Sequence, residues 1–303
     1  MKFEGIYTPA ITPLTADNQI DWPAFDAVLE HLIASGVHGI IIGGSTGEYY
    51  AQTTQERQQL AERTRKVIGT RLPLIVGTGA IRTEDAVAFA RHASEIGADA
   101  ILVTTPPYAL PTEAEIAAHV LAVDAAADLP IMLYNYPARM GVSMGDDFFA
   151  AIKGTKNIQS IKESSGDPIR LHRLARNYPE IALSCGWDDQ ALEFFAWGAT
   201  SWVCAGSNFT PAEHVALYQA CVVEGDFTKG RKIMSAMLPL MDFLENGKFV
   251  QSIKAGSEFI GLKTGGVRAP LQPLNADEKA ELGNVITALK AEVAAVTKEK
   301  VLG

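Results

Sequence analysis

The chain has 303 residues, of which 48% are hydrophobic and 20% are charged, and its formal net charge is -9 at pH 7. This length suits one large globular domain or two small ones, and it allows most of the apolar surface to be buried. The negative charge argues against nucleic acids and anionic membranes as partners, because both repel an acidic protein. No secretory signal follows Lys2, and no apolar run approaches the roughly 18 residues of a membrane-spanning helix.

The three cysteines, Cys185, Cys204 and Cys221, are sparse and lack the paired spacing of a metal site. An odd number without a repeating pattern fits free, buried thiols in a reducing compartment. We therefore expect a cytoplasmic protein.

Short apolar segments typical of strands alternate with amphipathic segments along the first two thirds of the chain. The predicted strands are residues 5–12, 37–43, 72–79, 98–105, 130–136, 158–162, 181–186 and 200–206. Residues 100–103 are apolar at successive positions, which indicates burial on both faces and hence a parallel sheet.

The intervening segments carry helix start and stop signals. Thr53 and Glu56 have the spacing of a capping box, and so do Thr112 and Glu115. Glycines stand where the helices should end, at Gly36, Gly69, Gly97 and Gly198.

Eight β/α units within about 225 residues are typical of an α/β fold of the (β/α)8, or TIM-barrel, type. A doubly wound sheet is the competing fold, but no Gly-x-Gly-x-x-Gly motif opens a helix after the first strand. We expect residues 1–210 to form the barrel core through strand eight. Residues 211–303, with helical patterns at 233–244 and 277–296, should supply the last barrel helix and a C-terminal helical appendage packed on the barrel as one structural unit.

A lysine, Lys162, ends the sixth predicted strand and is followed by turn residues. Such a lysine can extend its stem and reach solvent. Alternatively, burial lowers its pKa, and the neutral amine can then attack a carbonyl to form a Schiff base.

Other strand ends are also polar, and in a barrel these ends form the functional face. Strand two leads into Gly44, Ser45 and Thr46, which form either a carboxylate cradle or an ordinary glycine turn. Strand five leads into Tyr134 and Arg139. Tyr134 could relay protons or simply fill the barrel mouth, and Arg139 could grip a carboxylate or lie in a solvated loop.

Three further strand ends complete the predicted face. Strand four leads to Tyr108, strand seven to the run Gly186-Trp187-Asp188-Asp189, and strand eight to Ser207.

Taken together, these residues resemble the family of dihydrodipicolinate synthase and N-acetylneuraminate lyase. The resemblance runs from Gly5 to about Arg268. It depends on Gly-Ser-Thr-Gly-Glu at 44–48, Tyr-Asn-x-Pro at 134–137 and Lys-x-x-Ser-Gly-Asp at 162–167.

The resemblance implies a role for each matching residue. Lys162 would be the Schiff-base nucleophile and Tyr134 the acid/base at the imine carbon. Ser45 and Tyr108 would complete a hydroxyl relay, with Tyr108 reaching into a neighbouring subunit. Gly44, Ser45 and Thr46 would hold the keto-acid carboxylate.

Further substrate contacts are expected from Arg139, Gly186, Asp188 and Ser207. Arg139 matches the arginine that the synthases use for the carboxylate of a semialdehyde substrate. The run that contains Gly186 and Asp188 is closer to the sugar-acid lyase branch, which reads hydroxyl groups there. The resemblance also implies a homotetramer built as a dimer of tight dimers.

We therefore expect a Schiff-base-forming lyase that acts on pyruvate or a related 2-keto acid, most like dihydrodipicolinate synthase. The alternatives are a catabolic member, such as a 1-pyrroline-4-hydroxy-2-carboxylate deaminase or a keto-deoxy sugar-acid dehydratase or aldolase, and a non-catalytic small-molecule sensor. A sensor should have lost the lysine or the tyrosine, and both are present. No cofactor or metal is expected, because the mechanism needs none and the six histidines lack metal-ligand spacing.

Feedback inhibition by lysine is not expected. Lysine-inhibited synthases line their effector site with a histidine, an asparagine and a tyrosine, whereas Thr54, Ile81 and Pro107 stand at those places here.

Overall fold

The computed structural model describes residues 1–298, and its centre is a closed barrel of eight parallel strands. In chain order the strands are β1 Gly5–Pro9, β2 Gly39–Ile42, β3 Leu74–Gly77, β4 Ala100–Thr104, β5 Ile131–Asn135, β6 Ile158–Glu163, β7 Ala182–Cys185 and β8 Ser201–Val203. The predicted (β/α)8 barrel is therefore confirmed. Most strands stop short of the predicted C-terminal ends, because those ends turn into the loops that carry the polar motifs.

Each strand pairs with the next, and β8 closes the barrel against β1 through the Gly5↔Ser201 register. Every residue of β1 to β5 is buried, as the continuous apolar runs predict. Alternate residues of β4 belong to two apolar clusters: Ala100 and Leu102 to a small one, and Ile101 and Val103 to the main core. The small cluster fills the barrel interior, since successive side chains of a strand point to opposite faces.

The helices before β8 are α1 Trp22–Ala34, α2 Thr54–Ile68, α3 Thr83–Glu95, α4 Glu113–Ala127, α5 Pro137–Met140, α6 Asp146–Ala151, α7 Pro168–Asn177 and α8 Ala191–Ala196. They cover the outside of the barrel, except the short α5, which lies at the C-terminal ends of the strands and carries Arg139 to the cavity there. Both predicted capping boxes are present, at the starts of α2 and α4.

Within the described residues, four α-helices follow the eighth strand: α9 Pro211–Tyr218, α10 Phe227–Glu245, α11 Phe249–Phe259 and α12 Ala276–Lys298. Their buried side chains, such as Met237, Ile253 and Ile286, belong to the same core cluster as those of the barrel helices. The predicted division of the chain at residue 210 stays a prediction. Within residues 1–298, no helix is both long enough and apolar enough to cross a bilayer.

The cap of α4 offers a test of local stability. Thr112 accepts a hydrogen bond from the Glu115 N–H, and Glu115 accepts one from the Thr112 N–H. We expect Thr112→Ala to lower the free energy of unfolding by about 1 kcal/mol, because the helix loses a side-chain acceptor for its first N–H groups. Urea unfolding measures this change. Thr112→Ser is the control and should stay close to the unaltered protein, since it keeps the hydroxyl; equal losses in both variants would contradict the capping account.

Candidate active site

A cavity opens at the C-terminal end of the barrel, between the strand ends and the α10–α11 junction. Of the predicted site residues, it is lined by Gly44, Ser45, Thr46, Tyr134, Arg139, Lys162, Gly186 and Asp188. These residues come from distant parts of the sequence, and the closed barrel brings them together because all its strands end at the same face.

Lys162 lies on β6 and is only 9% exposed. It is in register with Tyr134 on β5 and with Ser184 on β7, and its Nζ lies 4.0 Å from the centroid of the Tyr134 ring. Burial lowers the pKa of the Lys162 ammonium to about 8, although the carboxylate of Asp188 acts in the opposite direction. The side chain therefore does not reach freely into solvent, and about a tenth of it is the neutral amine at pH 7.

Gly186 has a structural reason to be glycine. A β-carbon at this position would lie 2.7 Å from the Cγ and Cε atoms of Lys162 and 2.1 Å from the Ser164 hydroxyl. The bare backbone of Gly186 thus leaves the space in which the stem of the lysine runs, and it also lines the cavity.

Tyr134 is 4% exposed, and burial raises the pKa of its phenol to about 12. The cation of Arg139 and hydrogen bonding with Ser164 and Ser45 act in the opposite direction. Tyr134 is therefore a protonated hydroxyl next to the lysine amine, in contact with other hydroxyls through which a proton can pass.

The Ser45–Gly47 segment forms a short 3-10 turn directly after β2. As the first residues of this turn, Ser45 and Thr46 have N–H groups that the turn itself does not use. Gly43 precedes the turn with φ +74°, and a β-carbon there would lie 3.0 Å from the carbonyl oxygen of Gly77. The glycine therefore permits a sharp exit from β2, which places the free N–H groups at the cavity.

Asp188 also lines the cavity and is 6% exposed. It accepts a hydrogen bond of 2.8 Å from the indole Nε1 of Trp202. Burial raises its pKa, whereas this hydrogen bond and the Lys162 cation act in the opposite direction. Asp188 and Lys162 thus influence each other's protonation within the cavity.

The mouth of the cavity is aromatic and carries one cation and one anion. The guanidinium of Arg139 lies 5.2 Å from the centroid of the Tyr136 ring and 5.7 Å from that of Phe249. Glu245, the last residue of α10, lines the same mouth, and partial burial raises the pKa of its carboxyl group. The sequence analysis missed Tyr136, Glu245 and Phe249. Tyr136 could have been found from its place in the strand-five motif, but nothing in the sequence placed the α10–α11 junction at the mouth.

Another missed residue, Glu163, anchors the loops around the cavity without lining it. Its carboxylate is 1% exposed and accepts hydrogen bonds from the Asn135 amide at 3.0 and 2.9 Å and from the Arg170 Nε at 2.7 Å. It also accepts from the N–H of Ser165 at 2.8 Å. The ends of β5 and β6 and the start of α7 are thereby joined by one buried carboxylate.

Two predicted site residues do not line the cavity of this chain. Tyr108 is 91% exposed and adopts a left-handed backbone conformation with φ 71°. Ser207 is fully buried: its hydroxyl lies 2.7 Å from that of Thr8 and donates to the Cys204 carbonyl at 2.6 Å. The roles expected for Tyr108 and Ser207 stay predictions.

Comparison with known proteins gives consistent results. A family model described as the dihydrodipicolinate synthetase family matches residues 2–289. The chain is 37% identical over 270 residues to a 4-hydroxy-tetrahydrodipicolinate synthase of Exiguobacterium sibiricum, and the match covers 89% of this chain and 92% of that protein.

Solved structures are similar over nearly the whole chain. The 4-hydroxy-tetrahydrodipicolinate synthase of Methylacidiphilum fumariolicum has 31% identity and a TM-score of 0.91, with 98% of this chain and 99% of that chain covered. YagE, a prophage protein of the dihydrodipicolinic acid synthase family from E. coli solved in complex with pyruvate, has 29% identity and a TM-score of 0.90, with 96% and 99% covered.

The environment of Lys162 predicts a pH-dependent reaction with a 2-keto acid. Pyruvate followed by borohydride should add an irreversible mass at Lys162. A pKa of about 8 leaves about a tenth of the amine neutral at pH 7, so the initial rate should rise about tenfold from pH 6 to pH 7 and level off above pH 8. Mass spectrometry of quenched samples and peptide mapping measure the rate and the position.

Lys162→Arg is the matched control and should form no adduct, because a guanidinium stays protonated. An adduct on another lysine, or a rate that does not change between pH 6 and pH 8, would contradict the assignment.

Proposed function

The chain belongs to the dihydrodipicolinate synthetase family and is an aldolase-type lyase, and we propose that it condenses pyruvate with aspartate semialdehyde through a Schiff base on Lys162. One observation carries the proposal: a buried lysine with a lowered pKa lies beside a protonated tyrosine, at a cavity that also holds a turn with free N–H groups and an arginine. The family relation adds weight, since several synthases are 30–37% identical to this chain over most of its length.

The first step of the proposed reaction joins the lysine to pyruvate. The neutral Nζ of Lys162 forms a bond to the keto carbon, and the keto oxygen leaves as water after it has received protons. Tyr134 is placed to hand over and take back a proton, with Ser45 next in the relay. The carboxylate of pyruvate accepts hydrogen bonds from the Ser45 and Thr46 N–H groups, which fixes the keto carbon beside the amine.

The second step forms the carbon–carbon bond. The protonated imine withdraws electrons, so the methyl group loses a proton and the imine becomes an enamine. The enamine carbon then adds to the aldehyde carbon, and the aldehyde oxygen takes up a proton. Arg139 holds the carboxylate of the aldehyde at the mouth through charge-assisted hydrogen bonds. Attack on the product imine by water or by the product's own amino group frees Lys162.

The mouth suits an acceptor that carries both charges. Arg139 offers a cation and Glu245 an anion on the same rim. Aspartate semialdehyde has a carboxylate and an ammonium group on one carbon, so it can engage both. This pairing favours an amino-acid aldehyde over an uncharged one.

A second candidate function is supported by Asp188. This residue adds a buried hydrogen-bonding group to the cavity wall, within a run that is similar to the sugar-acid lyase branch. A hydroxylated cyclic imino acid that ring-opens on Lys162, or a keto-deoxy sugar acid, would use Asp188 for a hydroxyl group. The single carboxylate would then sit at Ser45 and Thr46, and Arg139 would contribute less.

The proposal extends to assembly and location. Tyr108 is exposed in a strained conformation, and such conformations persist only where the surroundings or a function require them. We infer that it completes the hydroxyl relay of a neighbouring subunit in a tetramer of tight dimers. The free, buried cysteines fit a cytoplasmic protein.

Tyr134→Phe tests the proton relay. The variant should fold and should still form some pyruvate adduct, although more slowly, and its condensation rate should fall by about 10²–10⁴-fold, the range typical of a lost general acid–base group. Steady-state kinetics and borohydride trapping measure the two effects separately. Tyr108→Phe should lose less, since it acts one step further from the imine. Unaltered turnover in Tyr134→Phe would place the relay elsewhere.

Arg139→Ala tests the choice of acceptor. Charge-assisted hydrogen bonds contribute about 1.5–3 kcal/mol, so kcat/KM for aspartate semialdehyde should fall roughly 10- to 100-fold. Adduct formation with pyruvate alone should be unchanged, which separates the acceptor from the donor site. Negligible condensation by the unaltered protein, together with release of ammonia from a hydroxylated pyrroline carboxylate, would favour the second candidate. Free lysine should inhibit neither reaction.

A further inference from the structure

We propose that Lys254 and Arg268 are positioning residues that act through Glu48: they hold the Ser45–Gly47 turn in the conformation that binds the carboxylate of the keto acid. The inference rests on the proposed binding of a 2-keto acid at that turn. The side chains of Glu48, Lys254 and Arg268 do not line the active-site cavity, so any effect of theirs on substrate must pass through the backbone.

Glu48 closes the turn in an unfavourable backbone conformation. Its φ is 61°, in the left-handed region that a residue with a side chain adopts only when held there, and its N–H donates to the Ser45 carbonyl at 3.1 Å. Glu48 is 2% exposed. Both its backbone and its carboxylate are therefore fixed within the protein.

Lys254 supplies the opposite charge from α11. Its Nζ lies 2.6 Å from Oε1 of Glu48, and it also donates to the Gly266 carbonyl at 2.7 Å. Lys254 is itself 2% exposed. A buried carboxylate that loses such a partner remains as an uncompensated charge and must move or be protonated.

Arg268 completes the attachment from the segment between α11 and α12. Its backbone N–H donates to Oε2 of Glu48 at 3.1 Å. Its guanidinium donates to the Ala51 carbonyl at 2.7 Å and to the Asn18 carbonyl at 3.0 Å, and it pairs with Glu56 on α2. The turn after β2 is thus joined to the C-terminal region on one side and to the start of α2 on the other.

The consequence for substrate follows from the closeness of Glu48 to the binding turn. Ser45 and Thr46 precede Glu48 by only three and two residues, respectively, and the hydrogen bond from the Glu48 N–H to the Ser45 carbonyl closes the turn. If the carboxylate of Glu48 is released, the left-handed residue relaxes and the two N–H groups lose their common direction. Lys162 on β6 and Tyr134 on β5 are not part of this attachment, and of the proposed relay only Ser45 lies on the turn. The loss should therefore weaken keto-acid binding more than it slows the chemistry.

Lys254→Met tests the proposal, because it keeps the apolar stem and removes the ammonium. We expect the KM for pyruvate to rise about tenfold or more, while kcat at saturating pyruvate stays within about threefold, the pattern of lost binding that is shared by ground state and transition state. The pyruvate concentration that gives half-maximal borohydride trapping at Lys162 should rise in parallel. A general loss of structure would instead lower the active fraction and leave both half-saturation values unchanged.

Lys279→Met is the matched control. It removes an ion pair of 3.2 Å between Lys279 on α12 and Glu258 on α11. Like the Lys254 pair it involves α11, but both side chains are half exposed. Its KM for pyruvate should equal that of the unaltered protein. An unchanged KM in folded Lys254→Met, or a fall in kcat alone, would overturn the proposal.

Arg268→Met provides the test if Lys254→Met does not fold. It removes the guanidinium contacts and keeps the backbone N–H, so the KM for pyruvate should rise by a smaller factor. No rise above Lys279→Met would overturn the proposal in that case. Absence of any pyruvate adduct in the unaltered protein would refute the Schiff-base function itself, whereas a normal adduct with unshifted saturation in the variants refutes only the positioning role.

Discussion

The site depends on one physical constraint, the removal of a lysine amine from water. A pKa of about 8 in place of 10.5 corresponds to a cost on the order of 3 kcal/mol at pH 7, because the folded protein must hold a cation that is poorly hydrated or give up its proton. The cost is present in full below pH 8 and declines as the pH rises to 10.5, where the unfolded chain also loses the proton. The rest of the fold supplies the stability that offsets this cost. As a result, part of the Lys162 amine is neutral near neutral pH.

Two neighbouring residues of β6 point in opposite directions, which keeps the lysine amine away from the nearest carboxylate in the sequence. Lys162 points into the cavity, and Glu163 points toward α7, where the Arg170 guanidinium and the Asn135 amide satisfy its carboxylate. The Glu163 carboxylate, which follows Lys162 directly in the sequence, is thereby held away from the lysine amine. Asp188 and, at the mouth, Glu245 remain as acidic groups that line the cavity, and burial raises the pKa of both carboxyl groups, which limits how strongly they can keep the lysine protonated.

The sequence predicted the fold well because the strands of a barrel are buried on both faces, and continuous apolar runs reveal them without knowledge of the tertiary structure. It predicted Lys162, Tyr134 and the Ser45–Gly47 turn as site residues because parallel strands must all end at one face. It failed for Glu245 and Phe249, since no periodicity shows how an appended helix pair packs on a barrel. It named Ser207 from its place after strand eight; this side chain is buried against Thr8, and its expected role stays a prediction.

The C-terminal appendage, helices α9 to α12, contacts both the mouth of the cavity and the turn after β2. Its α10–α11 junction contributes Glu245 and Phe249 to the mouth, the proposed site of acceptor recognition. Farther along α11, Lys254 pairs with Glu48 at the turn after β2, the proposed site of the keto-acid carboxylate. Lys162 and Tyr134, to which we assign the chemistry, lie on β6 and β5 and not on the appendage. Substitutions in α10 and α11 can therefore alter which second substrate is accepted, or how tightly the first is held, while the lysine keeps its environment. Glu245 and Phe249 at the mouth are therefore the positions where a substitution should change substrate preference with the least disturbance of Lys162.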